Sequence, residues 1–144
     1  MADPRAAVEL VGIGYKAITM QIDASTITYS ATAANGSAQV GLAVVPKVGS
    51  PGVIELAGDG EGPVMKLISV DSDGYATVQH KGICTLPGGT GATLTIGERI
   101  VGDLLSSAEG YIQAVATGTA AQLGHANGVI LDASDTAAVV VDLG

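Results

Sequence analysis

His80 and Cys84 have the right types for chemistry, since an imidazole beside a thiol can form a nucleophile–base pair or two ligands of a metal site. They stand four positions apart in a stretch that alternates like a strand. That spacing puts both on one face but about 13 Å apart along an extended chain. The separation is too great for either role unless Gly82, between them, bulges the backbone. Cys84 is the only cysteine, which leaves no intramolecular disulfide and no cysteine-based zinc site of the usual kind. It reads as a small core residue. His125, just before Ala126-Asn127-Gly128, reads as a loop histidine, and all three residues are expected to be dispensable for function.

Other motifs fail on context. Gly12-Ile13-Gly14-Tyr15-Lys16-Ala17 matches a loose G-x-G-x-x-A, but a dinucleotide site needs that loop to open a helix, and the residues that follow alternate as a strand. Pro87-Gly88-Gly89-Thr90-Gly91 lacks the Gly-Lys-Ser/Thr ending of a phosphate loop. Asp71-Ser72-Asp73-Gly74 looks like the start of a calcium loop, yet its twelfth position is Gly82 where a bidentate Glu belongs, so it reads as an acidic hairpin turn. Asn35-Gly36-Ser37 is a formal glycosylation sequon and reads as a type I′ turn. Lys66, in Val64-Met65-Lys66-Leu67, has the local look of a biotinylated lysine, but its neighbours alternate as mid-strand with no turn at the lysine. These readings lead to no catalytic residue, no metal ligand and no cofactor, and the chain is not expected to be an enzyme.

The elements around these residues are strands. Ile18, Met20 and Ile22 alternate with Thr19 and Gln21; Ile27 and Tyr29 alternate with Thr26 and Thr28; Val40, Leu42 and Val44 follow the same period of two. Further strands are predicted at Val64–Val70, Gly74–Leu86, Ala92–Ile96, Arg99–Leu105, Tyr111–Ala116, Gly128–Leu131 and Thr136–Leu143. Asn35-Gly36, Asp59-Gly60, Asp73-Gly74, Glu109-Gly110 and Asn127-Gly128 supply reversals. The hairpins around Asp73-Gly74-Tyr75 and Glu109-Gly110-Tyr111 look alike, which shared turn chemistry explains better than an internal repeat. Val45 to Pro63 reads as a long loop holding one short strand, Val53–Leu56. Helical turns are predicted only near Ala6–Leu10 and Thr119–Leu123. The fold class is therefore all-β: a small antiparallel sandwich or barrel with short hairpins and little helix. Residues 1–12 read as an N-terminal arm and 13–144 as a single β domain.

Composition bounds the partners. Across 144 residues, 14 Asp and Glu face 6 Lys and Arg, a net charge of −8 that disfavours nucleic acid and anionic membranes alike. Hydrophobic residues make up 47% and charged residues only 14%, with a mean hydropathy of +0.45 and no run long enough to span a membrane. A chain of that kind is expected to hide part of its surface in an assembly. Met1-Ala2-Asp3-Pro4-Arg5 lacks the pattern of a signal peptide, so use without export is expected.

From about Leu67 onward the chain resembles the small capsid cement or decoration proteins of tailed phages, and the related head-fiber proteins. The resemblance lies in the Gly-led strand Gly74–Gly82 running into Ile83-Cys84-Thr85-Leu86-Pro87 and in Leu94-Thr95-Ile96-Gly97-Glu98-Arg99-Ile100. It continues in the hairpin Glu109–Gln113 and in the closing pair Gly128–Ala133 and Ala138–Leu143. The N-terminal half departs from the shortest members and reads as an added strand layer. The resemblance implies a protein made in the host cytoplasm that binds the outer surface of the virion capsid, with the major capsid protein and itself, as a homotrimer, for partners. A head fiber, another virion or tail component, and a biotinyl-like carrier are the alternatives. The arm residues Ala2, Asp3, Pro4 and Arg5 are the expected capsid contacts: Pro4 blocks regular pairing and Arg5 is one of six cations.

Overall fold

The computed structural model describes residues 13–90, 94–115 and 120–144. The chain is all-β, and its strands divide between a closed barrel and two smaller sheets. The barrel contains β1 (Lys16–Ile22), β2 (Ala43–Pro46), β3 (Val53–Leu56), β4 (Met65–Val70) and β5 (Tyr75–Lys81), in the order β1-β3-β2-β4-β5. Its neighbours are antiparallel except β1 and β3, which pair in parallel through Gln21–Val53 and Ile22–Ile54 and so close the ring. Five strands leave an interior that side chains fill. Here Val44, Ile54, Met65, Leu67, Val70, Ala76 and Val78 fill it, together with Ile27.

Ile27 corrects one expectation. Thr26–Tyr29 is not a strand; the amides of Thr26 and Ile27 both donate to the Asp23 carbonyl, at 3.1 and 2.9 Å, and the resulting turn drops Ile27 into the barrel. The Asp23 carboxylate holds this turn by accepting from the Ser25 amide and by pairing with Lys47 Nζ at 2.5 Å. Val40 and Leu42 likewise lie in turns, and β2 begins only at Ala43. The predicted long loop from Val45 is instead the second half of β2 and a hairpin into β3, whose bounds are those expected. In β1 the alternation holds, but Ile18 is 41% exposed.

The expected strand Gly74–Leu86 is two strands. β5 ends at Lys81, Gly82 turns with φ of 93°, and β6 (Ile83–Leu86) leaves the barrel. Beyond it lie the hairpin of β7 (Ile100–Leu105) and β8 (Ala108–Ala114), the short helix α1 (Ala120–His125), β9 (Val129–Asp132) and β10 (Val139–Asp142). β10 sits between β6 and β9, antiparallel to both, and its run Val139-Val140-Val141 is buried on both faces, as a central strand requires. α1 bears out the helical turn predicted near Thr119–Leu123; the one near Ala6–Leu10 and the arm residues Ala2, Asp3, Pro4 and Arg5 lie outside the described residues. Of the predicted strand Ala92–Ile96, residues 94–96 are not strand, and Ile96 is 67% exposed in a turn. The β7–β8 reversal falls at Ser106-Ser107, with Ser106 at φ of 60°, and Glu109-Gly110 lies inside β8. The likeness to the Asp73-Gly74 hairpin therefore ends at the sequence.

A second core joins the two parts of the molecule. Cys84, Leu86, Ile100, Ile112, Ile130, Val139 and Val141 pack with Ala43, Val45, Ala57 and Val64. β2 thus faces the barrel interior with Val44 and the second core with Ala43 and Val45. Residues 16–81 thus form a closed barrel that shares a wall with the second core, where an added strand layer was expected of the N-terminal half, and the stretch that resembles decoration proteins begins inside β4. Irregular segments occupy the outer strand edges. Gly97 and Glu98 bond Ile130 of β9, Pro87 and Gly89 bond Ile112 of β8, and Gly60 and Glu61 bond Gly102 of β7.

Candidate functional site

The described residues that were expected to do chemistry, or set aside for it, take these places. Cys84 lies in β6, 2% exposed within the second core, where burial pushes its thiol up to about 11. A thiol so placed is an inert packing group at neutral pH. His80 is half-buried in β5 at a register slip between Lys16–Lys81 and Ala17–Gln79, Gly82 is a turn between strands rather than a bulge within one, and among the described residues no hydrogen bond joins His80 to Cys84. Lys66 is in β4, half-buried, and donates to Thr85 Oγ1 at 3.2 Å, away from any hairpin tip. Gly14 has φ of 71° and Lys16 opens β1, so the glycine motif leads into a strand. Asp71 and Asp73 form a tight turn in which Gly74 N donates to the Asp71 carbonyl and Tyr75 N donates to Asp73 Oδ1.

Two concave regions gather polar groups. One, of about 260 Å³, lies between the β2–β3 hairpin and α1 and is lined by Val45, Pro46, Glu55, Glu61 and His125. The Glu55 carboxyl is held above its ordinary range by burial and then by the charge of Glu61. Glu61 is fixed by the Gly58 amide, which donates to Oε2 at 2.8 Å. This cleft can attract a cation or exchange a proton. Among the described residues, however, no group of three or more His, Cys, Asp or Glu is placed to hold a metal ion. The other, of about 620 Å³, lies at the Asp71–Asp73 end of the barrel, with Tyr29, Asn35 and Ser69 in its wall.

Charge is distributed unevenly. Of the described cations, Lys47 pairs with Asp23, Lys66 bonds Thr85 and Arg99 donates to the Ala126 carbonyl. Among the described cations, only Lys16 and Lys81 are exposed with no ion pair or hydrogen bond at the side-chain ammonium group, and they are register partners across β1 and β5. The largest exposed apolar side chains include Val48 at 94%, Ile96 at 67% and Ile13 at 54%.

No protein-family model, curated protein or solved structure matches this chain.

Sequence reasoning missed two polar residues. Asn127 reads as a turn former, yet its side chain does the work of a strand backbone: Oδ1 accepts from Val64 N at 2.8 Å, and Nδ2 donates to the carbonyls of Val64 and Leu143 at 3.0 and 3.4 Å. Its own backbone exchanges hydrogen bonds with Ile100. Asp103, 6% exposed in β7, keeps its Oδ2 buried without a partner behind Gly89. The only sequence signal for Asp103 was an acid inside an apolar strand pattern. Asn127 gave no signal, because its partners are remote in sequence.

Proposed function

We propose that this chain is a structural virion protein that binds the outer surface of a tailed-phage capsid and stabilises it as a cement or decoration protein. The observation that carries the reading is a closely packed all-β body with the outer edges of β7, β8 and β9 taken up, which nonetheless leaves Val48, Ile96, Val129 and Leu131 exposed on an acidic chain. A stiff sheet scaffold suits a load-bearing part, and exposed large apolar side chains suit association. A net charge of −8 suits the outer face of a shell, away from packaged DNA. In this reading the partners are the major capsid protein and further copies of the chain in a homotrimer, bridging capsomers, with no catalysis and no cofactor. The strand rhythm from Leu67 onward supports the same family.

Co-sedimentation tests it. The protein should pellet with expanded capsids and stay in the supernatant with unexpanded procapsids; failure to bind either would overturn the reading. Deleting residues 2–5 should lower capsid occupancy while light scattering still reports a trimer. Unchanged occupancy would move the docking surface from the arm to the loops.

A further inference from the structure

We propose that the Lys16/Lys81 end of the barrel docks into the acidic concavity at the opposite end of a second copy of this chain. The two ends are fixed by one strand. β5 starts at Tyr75, directly after the Asp71–Asp73 turn, and finishes at Lys81, so the patches lie about 20 Å apart on the same barrel. Like charges directly opposite each other on neighbouring strands are destabilising, and among the described residues no acid pairs with Lys16 or Lys81. An external carboxylate pair relieves both. The concavity offers one: Asp71 and Asp73 are exposed on its rim, and Tyr29 shares its lining.

Each patch also carries apolar surface. Ile13, Tyr15 and Ile18 are 54%, 47% and 41% exposed around the lysines, and Tyr29 and Tyr75 are 40% and 46% exposed at the acidic end. Apolar contact of that kind supplies affinity, while the charges set orientation and encounter rate. A second copy is the occupant favoured by charge complementarity, because each chain carries both halves of the contact and is otherwise strongly acidic. The patches differ, so each copy can accept one neighbour and dock on another, and the chain closes into a ring when the rotation permits.

The inference rests on the self-association in the reading above, and its test uses the full chain without capsids. Sedimentation velocity over a concentration series should show wild-type association that weakens with added salt. K16E/K81E and D71K/D73K should each weaken it on the order of tenfold or more. The fourfold variant K16E/K81E/D71K/D73K, with the charges exchanged, should restore it. Far-UV circular dichroism matching the wild type establishes that each variant is folded. Wild-type association unaffected by K16E/K81E, a folded fourfold variant that stays dissociated, or a wild type that remains monomeric would each overturn the contact. Capsid co-sedimentation of the same K16E/K81E protein reports separately on the virion reading.

Discussion

Cys84 shows how one side chain can be read twice, as a potential nucleophile by type and as packing by position. Its thiol is pushed up to about 11 by burial, whereas a thiol released by unfolding ionises near pH 8.5. The unfolded chain therefore loses this proton first, and stability should fall as pH rises from about 8.5 to 11, by on the order of 2–3 kcal/mol across the window. Denaturant melts of wild type and Cys84→Ala at pH 7, 9 and 10.5 check this. The variant should lose the Cys84 part of the alkaline decline; an identical decline in both would refute it. At the acid end, Lys47 beside Asp23 holds that carboxyl below its ordinary range, so its contribution is present above the usual carboxylate range and is lost as pH falls through the lowered value. Asn127 belongs to the same scale. Asn127→Asp replaces the Nδ2 donor with an oxygen facing the Val64 carbonyl, and thermal or denaturant melts should report a loss of about 1–3 kcal/mol.

At the scale of elements, the period-two pattern located most strands because a half-exposed strand writes its two faces into the sequence. β3 came out with its bounds, and β4, β7, β9 and β10 were close. The errors came where long-range contact overrides pattern. Thr26–Tyr29 alternates like a strand, but the Asp23 turn claims it, because Ile27 is needed to fill the barrel. Ser106-Ser107 makes the turn that Glu109-Gly110 advertised. The parallel β1–β3 pairing that closes the ring left no local trace, since closure joins segments some thirty residues apart through backbone groups every residue carries. The candidate surfaces were illegible for the same reason: Lys16 and Lys81 become neighbours only through register. Gly82 was legible as special, though not as the point where the chain leaves the barrel. Its φ is 93°, and an added Cβ would lie 2.6 Å from Gly14 C and Tyr15 N, which are backbone atoms with little freedom to yield. Gly82→Ala should therefore cost about 2 kcal/mol or more by equilibrium denaturation.

Among the described residues the two larger cores share one wall, and a small third cluster of Val101, Val115 and Ala126 lies apart from them. Val44 of β2 packs into the barrel while Ala43 and Val45 pack into the second core, so neither core can open without exposing the other's lining. Calorimetry should show one transition, and both Ile54→Ala in the barrel and Ile130→Ala in the second core should lower that same transition, each by about 2–5 kcal/mol. Two transitions, with each variant shifting only its own, would show that the wall does not couple them.

The occupied strand edges have a consequence for how copies can accumulate. A free edge is a template: its unpaired amides and carbonyls accept a strand from any similar chain, and each addition exposes the next edge. Here the barrel ring is closed through Gln21 and Ile22 of β1, and the outer edges of β7, β8 and β9 are bonded at Gly102, Ile112 and Ile130 to the chain's own irregular segments. Where edges are covered in this way, contact between copies falls to side chains of fixed shape. A side-chain contact of fixed geometry adds a defined number of copies when its rotation closes a ring, whereas an edge-to-edge mode has no such stop.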